Sequence, residues 1–307
     1  MHLSVMLKET VDALGVVPGG VFIDGTVGAA GHTSEILRRA APQGRLLGID
    51  RDAEALERSR VRLRDVPGTH CLVHGSHGDI KRLAEANGFG AVDGIILDLG
   101  VSSEQLDTPG RGFSFRADGP LDMRMDTTQG ESAAEMIARM GEQEMAELFR
   151  RLGEEPQARR IAAAIVRERA REAIVTTGQL AETVSAAIGR KGGPRHPATR
   201  VFQAIRMAVN REIEELEQAL EDGLRLLKPH GKMAVISFES LTDRVVKKRF
   251  AAHIGKWQSL QQGGEAWVGE LPAAVAVTRK AVTPSDEEIS GNPRARSAKL
   301  RVIERKD

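Results

Sequence analysis

The sequence predicts an α/β fold, a mainly parallel sheet with helices on both faces, plus an inserted all-helical domain. Three observations carry this. Short, almost continuously apolar runs alternate with helical stretches through the first hundred residues, and continuous rather than alternating runs mark strands buried on both faces. Purely helical patterns then occupy 131–188. Strand-like runs resume beyond residue 230, so the helical block interrupts a single α/β domain. The expected boundaries are 1–108 with 212–307 for the α/β domain and 109–211 for the insert.

The elements follow in order. Gly20-Val21-Phe22-Ile23-Asp24 is an apolar run closed by an acid and a glycine-rich turn, with a helix through Ile36 and Leu37. Arg45-Leu46-Leu47-Gly48-Ile49-Asp50 repeats that pattern, and a helix over 53–63 follows. A third strand spans 70–74, a helix 80–86, and Val92-Asp93-Gly94-Ile95-Ile96-Leu97-Asp98 is a fourth strand. The Gly, Pro and Asp of 109–120 read as loop. Gly192, Gly193, Pro194 and Pro197 break the chain after the helical block. Pro197 then opens one long helix whose apolar residues, Val201, Ile205, Val209, Ile213, Leu216, Leu220, Leu224 and Leu227, recur every three or four positions as one buried stripe. Pro229-His230-Gly231 ends it; Lys232-Met233-Ala234-Val235-Ile236-Ser237-Phe238 is a fifth strand, with two more over 273–278 and 300–304.

The 307 residues suffice for about two domains, and 41% apolar with 28% charged residues is a globular composition. Aromatics are 3%, with no tyrosine, which excludes an extensive base-stacking platform. The single cysteine, Cys71, excludes an intramolecular disulfide and fits a reducing compartment. No apolar run approaches the ~18 residues of a membrane span, and the first ten residues do not read as a signal peptide, so the expectation is a cytoplasmic protein with no membrane partner. The net charge of +1 hides segregation: 150–211 holds thirteen bases against five acids, 212–223 holds six acids and no base, and 292–307 returns to +4. An arginine-rich segment suits a phosphate-rich partner, although a solvated helix face would show the same composition.

The loop Asp24-Gly25-Thr26-Val27-Gly28-Ala29-Ala30-Gly31-His32 joins the first strand to the first helix, where glycines admit close ligand approach and the helix start offers free N–H groups. Its glycines at 25, 28 and 31 do not form the dinucleotide fingerprint. Asp50, ending the second strand, is placed to bind a ribose, and Asp98, ending the fourth, lies at the same carboxyl edge. A carboxylate at 98 suits an exocyclic amine of a base, aligning its nitrogen for in-line attack on an electrophilic methyl; a loop or helix-cap acid is the plain alternative. His70-Cys71-x-x-His74-x-x-His77 has only loose metal-ligand spacing, and no metal is expected. Arg200, Gln203, Arg206 and Asn210 form a polar row beside the apolar stripe, either a solvated face or a set of RNA contacts from Arg200, Arg206 and Asn210. Ser240-Leu241-Thr242-Asp243 has the spacing of a capping box and predicts a helix start.

Taken together, the strings Ile23-Asp24-Gly25-Thr26 with Gly31-His32, Ile49-Asp50-Arg51-Asp52, and Leu97-Asp98-Leu99-Gly100-Val101-Ser102-Ser103 resemble the ribosomal RNA small-subunit methyltransferase H family. Further matches are Arg111-Gly112-Phe113-Ser114-Phe115, Gly119-Pro120-Leu121-Asp122-Met123-Arg124-Met125, His196-Pro197-Ala198-Thr199-Arg200 with Phe202-Gln203-Ala204, and Asn292-Pro293-Arg294-Ala295-Arg296-Ser297. The resemblance implies a class I Rossmann-like methyltransferase that moves a methyl group from S-adenosyl-L-methionine to N4 of a cytidine in the decoding region of 16S rRNA. The small ribosomal subunit would be its substrate and the insert would recognise the rRNA; a homodimer is left open. It implies that Ala30, Gly31 and His32 meet the methionine end of the cofactor, Asp50 the ribose and His77 the adenine. Asp98 and Gln105 would complete the pocket, with Asp98 also catalytic. The family usually has Gly at 30 and Phe at 77, and often His at 239, where this chain has Ala30, His77 and Glu239. Ala30 is tolerable in place of that glycine if its φ is negative. From the residues alone two other readings stay open: a nicotinamide-dependent oxidoreductase, against which the glycine spacing argues, and a non-catalytic RNA-binding protein.

Overall fold

The structure, a computed structural model, describes residues 4–189, 196–259 and 264–307. Arg190, Lys191, Arg195 and the Gly192-Gly193-Pro194 break lie outside the described residues. In chain order the elements are α1 (Leu7–Leu14), β1 (Val21–Asp24), α2 (Gly31–Ala40), β2 (Arg45–Asp50), α3 (Ala53–Leu63), β3 (Thr69–His74), α4 (Ile80–Ala86) and β4 (Val92–Asp98). Next come α5 (Ser103–Asp107), α6 (Ala133–Arg139), α7 (Glu142–Gly153), α8 (Ala158–Arg169), α9 (Thr177–Ile188) and α10 (Thr199–Val209). The last are α11 (Glu212–Leu226), β5 (Leu227–Ser237), α12 (Ser240–Ile254), β6 (Lys256–Ser259), β7 (Glu265–Val268), β8 (Ala274–Ala276), α13 (Asp286–Gly291) and β9 (Lys299–Arg305). No described helix is long and apolar enough to cross a membrane.

Two compact units result, Met1–Gly100 with Ile213–Asp307, and Val101–Glu212. The first contains a seven-stranded sheet in the order β3-β2-β1-β4-β5-β9-β8. β1 to β5 are parallel, and β9 runs antiparallel to both β5 and β8. Alternate residues of the apolar strands supply two cores. Ile23, Leu47, Ile95, Leu97 and Val235 face Ile80, Leu220, Leu224 and Val246 of α4, α11 and α12. Phe22, Leu46, Ile96, Ala234 and Ile236 face Val11, Leu14, Ile36, Leu37 and Leu63 of α1, α2 and α3. Burial on both faces leaves the carboxyl ends of the strands as the place for polar side chains.

In the second unit, α7 packs against α8 and α10, and α8 against α9. Capping boxes at Ser132 and Thr176 start α6 and α9. Phe115 stacks on His196 and meets Phe202 edge-on, with ring centroids 4.5 and 4.8 Å away.

Three expectations are corrected. The long helix is two helices, because Asn210 leaves helical geometry and Arg211 takes a left-handed φ of 50°. The apolar spacing from Val209 to Ile213 runs through the break undisturbed, so periodicity could not reveal it. Leu227 belongs to β5 and pairs with Val92. A helix does start at Ser240, as expected, but not through a capping box: Glu239 occupies the cap position without a side-chain capping bond, and Asp243 instead binds Lys299 and Arg301 of β9. The β6–β7 hairpin, α1 and α5 carried no strong sequence signal.

Candidate active site

Three acids end neighbouring parallel strands: Asp24 on β1, Asp50 on β2 and Asp98 on β4. The loop after β1 threads among them. Gly25 donates its N–H to the Ile96 carbonyl, and Thr26 accepts from the Asp98 N–H at 2.6 Å. A Cβ at Gly25 would come within 2.5 Å of Leu97 and 3.3 Å of the His77 Cβ, so this crossing requires glycine. From α3, Ser59 and Arg62 donate to the Gly28 and Ala29 carbonyls.

The three acids differ in what they have left to offer. Asp24 is buried, and its oxygens accept from the Thr26 N–H and the Thr33 hydroxyl, so it holds the loop together. Desolvation raises it to about 6 against those hydrogen bonds. Asp50 accepts from the Asp52 and Gly28 N–H groups, one on each oxygen. Burial pushes its pKa up, those two bonds pull it back, and each oxygen keeps a lone pair for a hydroxyl. Asp98 Oδ1 is buried and has no hydrogen-bond partner among the described residues. Burial, with the neighbouring charge of Asp24, lifts Asp98 to about 8.

His32, on the first turn of α2, stands beside Asp98 with Nδ1 3.7 Å from Oδ2. Its Nε2 lies 3.1 Å from the Val5 carbonyl, and burial lowers it to about 4. His77 follows β3, where Ser76 caps a 3-10 turn. Its Nε2 is a second buried atom with no partner among the described residues, and desolvation, aided by the charge of Arg51, holds it down at about 3. Ala30 caps α2 with a φ of 56°, so the negative φ at which alanine would be tolerated without cost is not the one it adopts. Its family-typical Gly would be at ease there, whereas alanine bears a left-handed cost of roughly 1–2 kcal/mol. Gly31 lies against Ser4: a Cβ would sit 1.7 Å from the Ser4 hydroxyl oxygen.

Ala30, Gly31, His32, Asp50, His77 and Asp98 therefore gather at one sheet edge. Over its whole length the chain is similar to curated relatives. A sequence model of the MraW methylase family matches residues 1–306. The chain belongs to the MraW methylase family. It is 46% identical over 309 residues to the ribosomal RNA small subunit methyltransferase H of Shewanella denitrificans, covering all of this chain and 98% of the relative. It is 48% identical over 306 residues to the protein of the same name from Syntrophotalea carbinolica (99% and 98% covered). The corresponding protein of Symbiobacterium thermophilum is 47% identical over 306 residues (98% and 96%). The methyl donor of this methylase is S-adenosylmethionine, and the edge fits it. A sulfonium and an ammonium are the charges that three crowded carboxyls lack, ribose hydroxyls match the open lone pairs of Asp50, and Asp98 Oδ1 and His77 Nε2 are polar atoms awaiting partners.

The other expected site residues lie in the second unit. Gln105 is buried and closes a capping box with Ser102 at the start of α5. Arg206 and Asn210 are buried as well, which corrects their reading as RNA contacts. Arg206 forms a two-pronged pair with Glu212, and Asn210 donates to the Met123 carbonyl while accepting from the Met125 N–H. Arg200 is exposed. Two members of the loose histidine motif make local bonds: His74 Nε2 contacts the Arg51 carbonyl oxygen at 2.9 Å, and Cys71 donates to Asn87. Sequence reasoning missed Thr26, Ser76 and Glu215. Only Ser76, a small polar residue before a turn, carried a recognisable capping signal.

Proposed function

We propose that this methylase transfers the methyl group to N4 of a cytidine in the decoding region of 16S rRNA, in the cytoplasm, with the small ribosomal subunit as substrate. The observation that carries the chemistry is Asp98: an unpartnered, buried carboxyl oxygen at the end of β4, beside a neutral imidazole. S-adenosylmethionine, when bound, supplies an electrophilic methyl group. Asp98 Oδ1 accepts an N–H of the exocyclic amine and turns the nitrogen lone pair toward that methyl. The new N–C bond forms as the methyl's bond to sulfur breaks, the electron pair staying on sulfur and S-adenosylhomocysteine leaving as a neutral thioether; the nitrogen is then acidic, and Asp98 takes its proton. His32, neutral and with Nδ1 3.7 Å from Oδ2, supplies no positive charge that would oppose this protonation of the carboxyl.

The target base must leave its stack to reach such a site. The second unit supports the RNA part of the reading, with Arg159, Arg160 and Arg167 of α8 and Arg150, Arg151 of α7 exposed alongside Arg200. Arg150, Arg159 and Arg160 share a surface cavity of about 430 Å³ with Pro156, Gln157 and Ala158. The relatives' names support the substrate, and the resemblance supports the N4 position. The deciding experiment is nucleoside mass spectrometry of small-subunit rRNA from cells with and without the gene. Loss of N4-methylcytidine on deletion is expected; its persistence overturns the reading.

A further inference from the structure

Beneath His77 lies a clamp that none of the expected site residues includes. Glu215, on α11, accepts from both Arg51 and the Ser76 hydroxyl. Arg51 also reaches Ser76 Oγ at 2.8 Å, and Ser76 Oγ in turn accepts from the Gly78 N–H at 3.0 Å. The backbone joins in: a Cβ at Gly78 would lie 3.0 Å from the Glu215 Cβ, so glycine lets the turn rest directly on the α11 residue. Half-exposure is not an option for this network, since the Arg51 and Glu215 side chains are only 13% and 21% exposed. A turn fixed by one side-chain triad and one close contact has little freedom left, and it carries His77 with its buried, unpartnered Nε2.

A Phe at this position could only stack; a neutral His can also make a directed hydrogen bond. We propose that Glu215 is a positioning residue for the cofactor's base: it clamps the turn 76–78 so that His77 Nε2 bonds the polar edge of adenine. The proposal rests on the reading of this edge as the S-adenosylmethionine site. It makes base discrimination, rather than mere affinity, the property that Glu215 controls.

The test is calorimetric titration with S-adenosylhomocysteine and with S-inosylhomocysteine, which differ only at the purine edge. The wild-type protein should prefer the adenine compound. Glu215→Ala and His77→Phe should each reduce the ratio of the two dissociation constants about three- to tenfold, the worth of one hydrogen bond. Glu215→Gln, still able to accept from Ser76, should restore most of it. An unchanged ratio in Glu215→Ala, whether both affinities hold or both fall together, overturns the proposal, as does a wild-type protein indifferent to the base. If Glu215→Ala does not fold, Gly78→Ala replaces it, since its methyl would push the turn off the clamp, and the same fall in ratio is required. A wild-type protein that binds neither compound refutes the cofactor reading itself, a result separate from an unchanged ratio.

Discussion

His32 Nδ1 and Asp98 Oδ2 stand 3.7 Å apart, and the other ring nitrogen of His32 is already committed to the Val5 carbonyl. A carbonyl can only accept, so Nε2 carries the ring proton and Nδ1 presents a lone pair to the acid. With His32 lowered to about 4, the ring stays neutral at pH 7 and offers Asp98 no positive charge. An ionised Asp98 thus faces a lone pair on one side and Asp24 on another. Protonation relieves this, and so does a cationic ligand.

Cofactor binding should therefore expel a proton. With Asp98 at about 8, most of the carboxyl is protonated at pH 7 in the free protein, and the sulfonium and ammonium charges favour the carboxylate. Titrations with S-adenosylmethionine at pH 7 in phosphate and in Tris should differ in enthalpy by an amount equal to nearly one proton released. Asp98→Asn should abolish the difference. Equal enthalpies in the two buffers for the wild type would contradict this picture of the edge.

The same substitution separates stability from catalysis. Asp98 has a folded value above its ordinary 3.8, so its favourable contribution is complete below about pH 4 and lost as pH climbs through about 8. Asparagine has no such loss. Without cofactor, Asp98→Asn and the wild type should melt closest together near pH 4, and the variant should gain on the wild type as the pH rises through 8 and melt higher at pH 9. Methyl transfer should drop at least ~100-fold in the variant at every pH, because the proton acceptor and the amine's guide are both removed. A variant that keeps wild-type turnover would move the chemistry elsewhere.

How far the sequence reached depends on which force shaped each part. Burial on both faces writes continuous apolar runs, so Val21–Asp24, Arg45–Asp50 and Val92–Asp98 were legible almost to the residue, and with them the acids at their ends. The break at Asn210 was not legible, because it is made by side-chain bonds to Met123 and Met125, 87 and 85 positions away in sequence. The polar row of Arg206 and Asn210 looked like a solvated face for the same reason. Composition cannot distinguish an arginine held by Glu212 from one facing water. Glu215 was hidden inside an acidic run whose other members gave no hint of a role beneath His77.

Ala30 combines a left-handed backbone with a fully buried methyl. Replacing it by glycine relieves roughly 1–2 kcal/mol of backbone cost, but forfeits about 0.8 kcal/mol of burial and adds about 0.4–1 kcal/mol of unfolded-state entropy. These nearly cancel, so Ala30→Gly should shift stability by less than about 1 kcal/mol. Ala30→Val should cost at least ~2 kcal/mol, because a β-branched residue fits neither the φ nor the packed site. Urea melts of the two variants give the comparison. A valine as stable as the glycine would mean that the loop adopts another conformation.

Arg200 and Asn210 lie ten positions apart on what sequence presented as one polar row, and the structure gives them opposite predictions. Asn210 holds two backbone groups of the segment 123–125 in a buried setting, where Met123 itself has a φ of 62°. Asn210→Ala leaves a buried carbonyl and a buried N–H unsatisfied, at about 1–3 kcal/mol each, and should lower the melting temperature by several degrees. The exposed Arg200 supports no such network, so Arg200→Ala should leave the melt within about 0.5 kcal/mol of wild type. Its effect should appear in binding to the small subunit, measured as a function of salt. Removing one arginine–phosphate pair should reduce the slope of log affinity against log salt by roughly 0.7–0.9, and the triple variant of Arg150, Arg159 and Arg160 to alanine should reduce it by more. If affinity proves indifferent to salt in the wild type, the second unit does not grip phosphates, whatever its charge.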